Sequence, residues 1–203
     1  MLRIGVLVSG RGSNLAALIR AFPSGHPLVE IALVLSNRPG CPALSLAREA
    51  GIACAGFDRR AYATRAAQQA AMAARCLEAG VELLVLAGFD QILTGALLSP
   101  YEGRAINIHP SLLPAFAGSL HAQRDALTYG VKITGCTVHA VTTAVDGGPI
   151  IAQAAVPVLD DDDETTLAAR ILQEEHRLLP GVVQGIASGQ MCVQGRRVHL
   201  ADG

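Results

Sequence analysis

The chain contains no tryptophan and a single lysine, Lys132; aromatic residues make up 3% of its 203 positions and charged residues 16%. Formal net charge is −1, and the other fifteen basic residues are arginines scattered along the chain. Nucleic-acid binders cluster their basic charge, so no nucleic-acid partner is expected. No stretch approaches the ~20 apolar residues of a membrane span; the longest runs, 29–35 and 81–88, are strand-sized, and each carries a glutamate. No membrane partner is expected either. The N-terminus shows no apolar leader with a small-residue cleavage site, so a cytoplasmic location is expected. The five cysteines are odd in number and lack any C-x-x-C pair. Neither a disulfide framework nor a zinc site follows, and the thiols read as reduced small hydrophobes. Repeats, linkers and low-complexity segments are also missing, so residues 1–203 are expected to form one domain.

What is abundant is aliphatic. Half of the chain (51%) is hydrophobic and mean hydropathy is +0.38, a composition that supports a large dry core. Near-continuous apolar runs at 2–8, 29–36, 52–56, 81–87 and 105–108 read as strands buried on both faces. Helical stretches at 15–22, 43–50 and 61–79 alternate with them, the last closed by Gly80. Beyond a helix at 122–129, two β-branched runs, 132–141 and 148–158, look antiparallel. Asp160–Glu164 is an acidic run at the start of a helix over 165–179, where the positive helix end favours anions. Pro180 is expected to open a last helical stretch, and 191–200 a terminal hairpin. The fold class is therefore α/β: doubly wound, with a mostly parallel Rossmann-like sheet and an antiparallel C-terminal extension.

Three segments are candidates for chemistry. The loop Ser9-Gly10-Arg11-Gly12-Ser13-Asn14 joins a strand to a helix. Backbone N–H groups at such a helix start can hold a phosphate, with Ser13 and Asn14 available both to cap the helix and to contact an anion. The third glycine of G-x-G-x-x-G is replaced by Leu15, and no Gly-Lys-Ser/Thr follows, which disfavours a dinucleotide or ATP. A plain capped turn fits the loop equally well. The second segment is Asn107-Ile108-His109-Pro110-Ser111-Leu112-Leu113-Pro114. Asn107 and His109 lie two apart at a strand's C-terminal end, so they face the same way, and an amide beside an imidazole suits a developing oxyanion. Taken alone, a capped strand end with a hydrogen-bonded histidine fits as well. The third is Asp146 in Val145-Asp146-Gly147-Gly148-Pro149. A turn aspartate bonding its own backbone accounts for it; set against His109, it would raise the imidazole pKa. His139 alternates within a strand and reads as a structural histidine. His121 follows the proline-bracketed loop and is a possible cleft residue. No metal-ligand spacing is present around His176 or elsewhere.

Taken together, Ser-Gly-Arg-Gly-Ser-Asn-Leu at 9–15, Leu-Ala-Gly-Phe at 86–89, the 107–114 segment, Gly-Cys-Thr-Val-His at 135–139, Asp-Gly-Gly-Pro-Ile-Ile at 146–151 and Glu-His at 175–176 resemble the phosphoribosylglycinamide formyltransferases, the folate-dependent glycinamide ribonucleotide transformylases of purine synthesis. The resemblance covers nearly the whole chain and implies the formyltransferase fold. It also implies formyl transfer from the co-substrate 10-formyltetrahydrofolate to the amine of glycinamide ribonucleotide through a tetrahedral intermediate, without a metal. The roles it implies are catalytic for Asn107, His109 and Asp146. The ribonucleotide would be held by Gly12, Ser13, Asn14 and Glu175. Folate would be held by Arg59, Asp90, Gln91, Ile92, Leu93, Asn107, Thr142, Thr143, Ala144, Val145 and Asp146, largely through backbone. A monomer or homodimer is implied.

The chain departs from the usual pattern at several places. Asp90-Gln91 stands where Met-Arg is common, Ala117 where proline is common, and Ser119 is an extra residue before Leu120. Thr142-Thr143-Ala144 stands where an acidic residue is often found, and the arginine near the folate's glutamate maps to Arg59 or Arg60. Two related activities share the Asn/His/Asp set: methionyl-tRNA formyltransferase, which should carry an extra C-terminal domain and a basic surface, and formyltetrahydrofolate hydrolase, which usually has an added N-terminal domain. A non-catalytic folate- or phosphate-binding module is the reading from another class; the intact Asn107, His109 and Asp146 speak against it.

Overall fold

The computed structural model describes residues 1–200, and at 192–194 and 200 the backbone alone. Two compact units are distinguished, Met1–Asn107 and a second that begins at Ile108.

The first unit contains strands β1 (Leu2–Val8), β2 (Val29–Ser36), β3 (Cys54–Gly56), β4 (Leu83–Leu86) and the start of β5 (Ala105–His109). They are parallel and ordered β3-β2-β1-β4-β5. Every residue of β4 is buried and so are the last five of β1, which explains why these strands read as unbroken apolar runs instead of alternating ones. Helices α1 (Ser13–Ala21), α2 (Pro42–Glu49), α3 (Arg65–Glu78) and the short α4 (Gly95–Leu98) are interleaved with them. From β1 the chain moves outward through β2 to β3, then returns past β1 to β4. With right-handed crossovers this reversal places helices on both faces. It also splays apart the loops that leave β1 and β4, the place where sheets of this kind bind ligands.

The second unit pairs β6 (Ile133–Ala140) antiparallel with β7 (Ile150–Pro157), and adds α5 (Ala122–Tyr129), the long α6 (Glu164–Ala187) and an antiparallel hairpin of β8 (Met191–Gln194) and β9 (Arg197–Leu200). Ala126, Cys136, Val156, Leu167 and Ile171 form its buried cluster. Asp163 caps α6: its carboxylate accepts from Thr166 N–H while Thr166 Oγ1 accepts from the Asp163 N–H, a reciprocal pair that satisfies two otherwise unbonded donors. Asp162 adds a two-pronged ion pair with Arg170, whose guanidinium holds the carboxyl well below the usual carboxylate range.

Several boundaries differ from the sequence expectation. The helix expected from 61 begins at Arg65, because Thr64 accepts from Ala67 N–H and caps it there, while Asp58 caps a separate turn at Arg59–Ala61. α4 and the turn Ser99–Tyr101 have no counterpart in the reading above. Pro180 does not open a new helix; it lies inside α6, which continues unbroken to Ala187. A mid-helix proline costs ~3 kcal/mol, and here Leu179, Pro180, Val182 and Val183 are all buried, so packing of that face offsets the loss. Cys41, Cys54, Cys76 and Cys136 are free thiols, and burial pushes Cys76 and Cys136 up to about 12; the side chain of Cys192 lies outside the described residues.

Gly135 in β6 is required by proximity. A Cβ there would sit 1.9 Å from the Ala154 carbonyl oxygen on the paired strand β7, so the two strands would have to part. Gly135→Ala is expected to destabilise the fold by about 3 kcal/mol or more. In thermal unfolding that corresponds to a Tm drop on the order of 10 °C; an unchanged Tm would show that the strand pair yields cheaply.

Candidate active site

In the first unit, β1 ends at Val8 and the chain turns through Ser9–Gly12 into α1. Gly12 is the cap residue of α1, with φ 83°. A side chain there would be strained by its backbone, and a Cβ would lie 2.7 Å from Ala43 Cβ. The expected capping by Ser13 or Asn14 is not found: both belong to the first turn itself, and no side chain caps the helix. No side chain competes for the positive end of this helix, an arrangement suited to an anion. Residues 10–14 together with Ala87 and Gly88 line a cavity of about 180 Å³, at the point where the loops after β1 and β4 part.

The segment after β4 is firmly anchored. Gln68 and Gln69, both fully buried on α3, reach across to it. Gln91 donates to the Gln68 side chain at 3.3 Å; Gln69 donates to the Ile92 carbonyl at 3.1 Å and accepts from Thr94 N–H at 2.6 Å. Asp90 N–H donates to Ser9 Oγ at 3.0 Å. Leu93 is half-buried and Ile92 exposed. Arg59 is exposed and donates to the Tyr62 carbonyl in its own turn, while Arg60 lines a second cavity of about 470 Å³ with Arg11 and Arg38.

In the second unit the geometry centres on Asp146. Its carboxylate is 11% exposed. Gly118 N–H donates to Oδ2 at 2.8 Å, His109 Nδ1 lies 3.3 Å from the same oxygen and His139 Nε2 lies 3.4 Å from Oδ1. Asp146 adopts φ 48°, a left-handed conformation that costs a non-glycine residue about 1–3 kcal/mol and is imposed by the tight turn into β7. His109, at the end of β5, places Nε2 3.1 Å from the Phe116 carbonyl. The ring therefore lies between two acceptors, the Phe116 carbonyl at Nε2 and the Asp146 carboxylate at Nδ1. Asn107, half-buried, lies two residues earlier on the same strand and faces the same side.

The sequence reading missed His139 as a partner of Asp146. A register shift between Val138 and His139 interrupts the β6–β7 ladder, and such a bulge re-aims a side chain. Its Nδ1 lies 3.0 Å from the Ala140 carbonyl. The signal was present in the Gly-Cys-Thr-Val-His segment, but period-2 alternation says nothing about a bulge. Other candidates lie apart from this cluster. His121 is exposed at the start of α5, where its N–H donates to Ser119 Oγ; the extra Ser119 thus serves as a turn brace, and also donates to Asp125 at 2.5 Å. Thr142, Thr143, Ala144 and Val145 form an exposed loop, closed by Gly147 N–H donating to the Ala144 carbonyl at 3.1 Å. Glu175 is buried on α6, close enough to Cys136 to help raise its thiol pKa. Among the described residues no group of three His, Cys, Asp or Glu is placed to hold a metal ion, and no helix is long and apolar enough to cross a membrane.

Asp146 acts on His109 in the expected direction but does not decide the net shift. Asp146 and the Phe116 carbonyl do raise its pKa, but burial of the ring outweighs both, and His139 adds to the lowering; the net direction is down. Asp146 itself is held below the usual carboxylate value, first by the hydrogen bond from His139 and then by Gly118 N–H and His109, against the opposing effect of burial.

The sequence profile of the formyl transferase family matches residues 2–183. The phosphoribosylglycinamide formyltransferase of Mycobacterium tuberculosis is 42% identical over 198 residues, which is 98% of this chain and 91% of that protein. The glycinamide ribonucleotide transformylase 1 of Symbiobacterium toebii has a similar structure, with a TM-score of 0.96 and 48% identity over 100% of this chain and 95% of that one. The trifunctional purine biosynthetic protein adenosine-3 of Gallus gallus is 44% identical over 191 residues, but the chain spans only 19% of its length. The chain belongs to the formyl transferase family and, within it, to the phosphoribosylglycinamide formyltransferases. The α/β class expected above, with a parallel sheet core and antiparallel C-terminal strands, is the fold of these relatives.

Both shifts work in the same direction with pH. A histidine whose pKa is lowered on folding contributes stability above the ordinary value of 6.5, and that contribution fades as pH falls below it; a depressed aspartate adds a further loss as pH falls below 3.8. An NMR titration should find the His109 ring titrating below 6.5. In Asp146→Asn it should titrate lower still, since a charge that favours the cation is gone. An unchanged value in that variant would reject the coupling.

Proposed function

We propose that the protein transfers the formyl group of 10-formyltetrahydrofolate to the amine of N1-(5-phosphoribosyl)glycinamide, a step of purine biosynthesis. The observation that carries this reading is the buried His109–Asp146 pair at 3.3 Å, at the end of the strand that also presents Asn107. The substrate amine attacks the formyl carbon and the carbonyl oxygen takes up negative charge. The Asn107 amide and the His109 N–H donate to that oxyanion. The intermediate then collapses as the bond from carbon to N10 of the folate breaks; the amine loses a proton and N10 gains one, with Asp146 assisting the transfer. Burial lowers the imidazole's pKa in the empty site, but an adjacent oxyanion favours the charged ring. Positive charge on His109 is therefore drawn in as the intermediate forms. Holding both substrates in a reactive orientation contributes much of the acceleration.

Binding roles follow the same reading. The N–H groups of Gly12, Ser13 and Asn14 hold the ribonucleotide phosphate, and Glu175 its ribose or amine. The segment Asp90, Gln91, Ile92 and Leu93 and the loop Thr142, Thr143, Ala144, Val145 and Asp146 hold the pterin through backbone groups. Arg60, which lines a cavity, suits the folate's glutamate better than Arg59, which is turned into its own loop. Residues 1–203 act as one formyltransferase domain, in the cytoplasm and on small molecules.

Purified protein supplied with both substrates should release tetrahydrofolate in step with formylated ribonucleotide. Release that needs no ribonucleotide would indicate a formyltetrahydrofolate hydrolase instead. His109→Ala is expected to lower kcat by roughly 10²–10³-fold in a protein that still folds but melts at a lower temperature, because Asp146 loses a partner; full activity in that variant would sink the mechanism.

A further inference from the structure

At the C-terminal rim of the first unit's sheet, three neighbouring strand ends are tied by side chains. Ser9 follows β1, Asn37 follows β2 and Asp90 lies beyond β4. Ser9 Oγ donates to Asn37 Oδ1 at 2.6 Å, Asn37 Nδ2 donates to Asp90 Oδ1 at 2.8 Å, and Asp90 N–H donates back to Ser9 Oγ at 3.0 Å. The ring closes on itself. Ser9 and Asn37 are buried, at 5% and 9% exposure, so losing the bond between them leaves polar atoms away from water; the two bonds to Asp90 are part-buried. The second carboxylate oxygen of Asp90 forms an ion pair with Arg38.

This ring spans both candidate subsites of the first unit. Ser9 begins the loop whose residues 10–14 line the 180 Å³ cavity, and Gly88, two residues before Asp90, lines the same cavity. Ser9 N–H also donates to the Gly88 carbonyl at 3.0 Å. On its other side Asp90 begins the segment whose Gln91, Ile92 and Thr94 are bound by Gln68 and Gln69. A shift of Asp90 therefore moves the floor of the phosphate cavity and the start of the folate segment together. An apolar side chain at position 90 could not accept from Asn37 or pair with Arg38.

We propose that Asp90 is a positioning residue that couples the ribonucleotide-phosphate loop to the folate segment, a role that rests on the subsites assigned above. Its side chain touches neither substrate; it sets the distance between their two binding segments. Ser9 is the matching element on the phosphate side.

The test is steady-state kinetics with both substrates on wild type, Asp90→Ala, Asp90→Asn, Ser9→Ala and the double variant Ser9→Ala/Asp90→Ala, with melting curves for each. Asp90→Ala should raise the KM for the ribonucleotide roughly fivefold to tenfold, although the residue lies on the folate segment, with a smaller change in kcat. Ser9→Ala should raise the KM for formyltetrahydrofolate in the same way. Asp90→Asn keeps an acceptor for Asn37 and should restore most of the ribonucleotide KM. The double variant should fall short of the product of the single effects. Coupling is overturned if Asp90→Ala moves only the folate KM and Ser9→Ala only the ribonucleotide KM, or if the double variant is multiplicative. Should Asp90→Ala fail to fold, Asp90→Asn and Ser9→Ala decide by the cross-effect on the remote KM. A wild-type protein with no formyl transfer would overturn the functional reading and the coupling with it; a fully active wild type with purely local effects would overturn the coupling alone.

Discussion

Burying an ionised carboxylate is costly unless each oxygen finds donors, and Asp146 sets that condition for much of the second unit. Its two oxygens are supplied by three separate segments: Gly118 N–H from the loop after β5, His109 from the strand itself and His139 from β6. Each supplier is shaped by the task. β6 carries its register shift where His139 must turn inward. The 116–118 loop brings Phe116 into a left-handed conformation, while its carbonyl meets His109. Beyond Asp146 the chain must return at once to β7, and there Gly148 has no room for a side chain, since a Cβ would lie 1.8 Å from the Ala140 carbonyl oxygen. The strain at Asp146 is thus held in place by neighbours that lose their own partners if it relaxes.

The cavity of the first unit is lined by Gly10, Arg11, Gly12, Ser13, Asn14, Ala87 and Gly88, and under the proposed reading its donors to the phosphate are N–H groups at the start of α1. Such donors need no cationic side chain, which fits a chain with one lysine and net charge −1. Several of the arginines are ion-paired: Arg3 with Glu30, Arg38 with Asp90, Arg75 with Glu78, Arg170 with Asp162 and Arg177 with Glu174. Except for Arg170–Asp162, whose carboxylate is 2% exposed, these pairs are largely exposed and contribute little stability. Their main consequence is that no large positive surface field is left to attract polyanions.

Much of this was legible in the residues. Buried parallel strands announce themselves as unbroken aliphatic runs, and β1, β2 and α5 fall where the runs and breaks placed them. Asn107, His109 and Asp146 were found by type and position, with Asp146 brought to His109 as required. What escaped is what depends on environment. Pro180 reads as a helix start because local propensity penalises it mid-helix; burial of its neighbours overrides that. Ser13 and Asn14 read as caps because of their residue types, yet with Gly12 as the cap the helix starts two residues earlier, at Ser13. His139 read as structural because strand alternation cannot foresee a bulge. The net direction at His109 lay beyond the sequence for the same reason: a carboxylate partner, and its raising effect, can be inferred from sequence, whereas the depth of burial cannot.

That net direction has a consequence for catalysis under the proposed reaction. An imidazole charged in the empty site would attract the phosphate and carboxylates of both substrates indiscriminately, and it would already be satisfied by Asp146 before any oxyanion formed. A ring whose pKa is lowered by burial, and which the proposed reaction sets beside the oxyanion, gains its proton most favourably when negative charge appears next to it. Its stabilisation is then greater in the transition state than in the ground state, which is the condition for raising kcat and not merely tightening binding. Burial of His109 and the charge on Asp146 work against each other in the empty protein, and the reaction itself shifts the balance toward the cation.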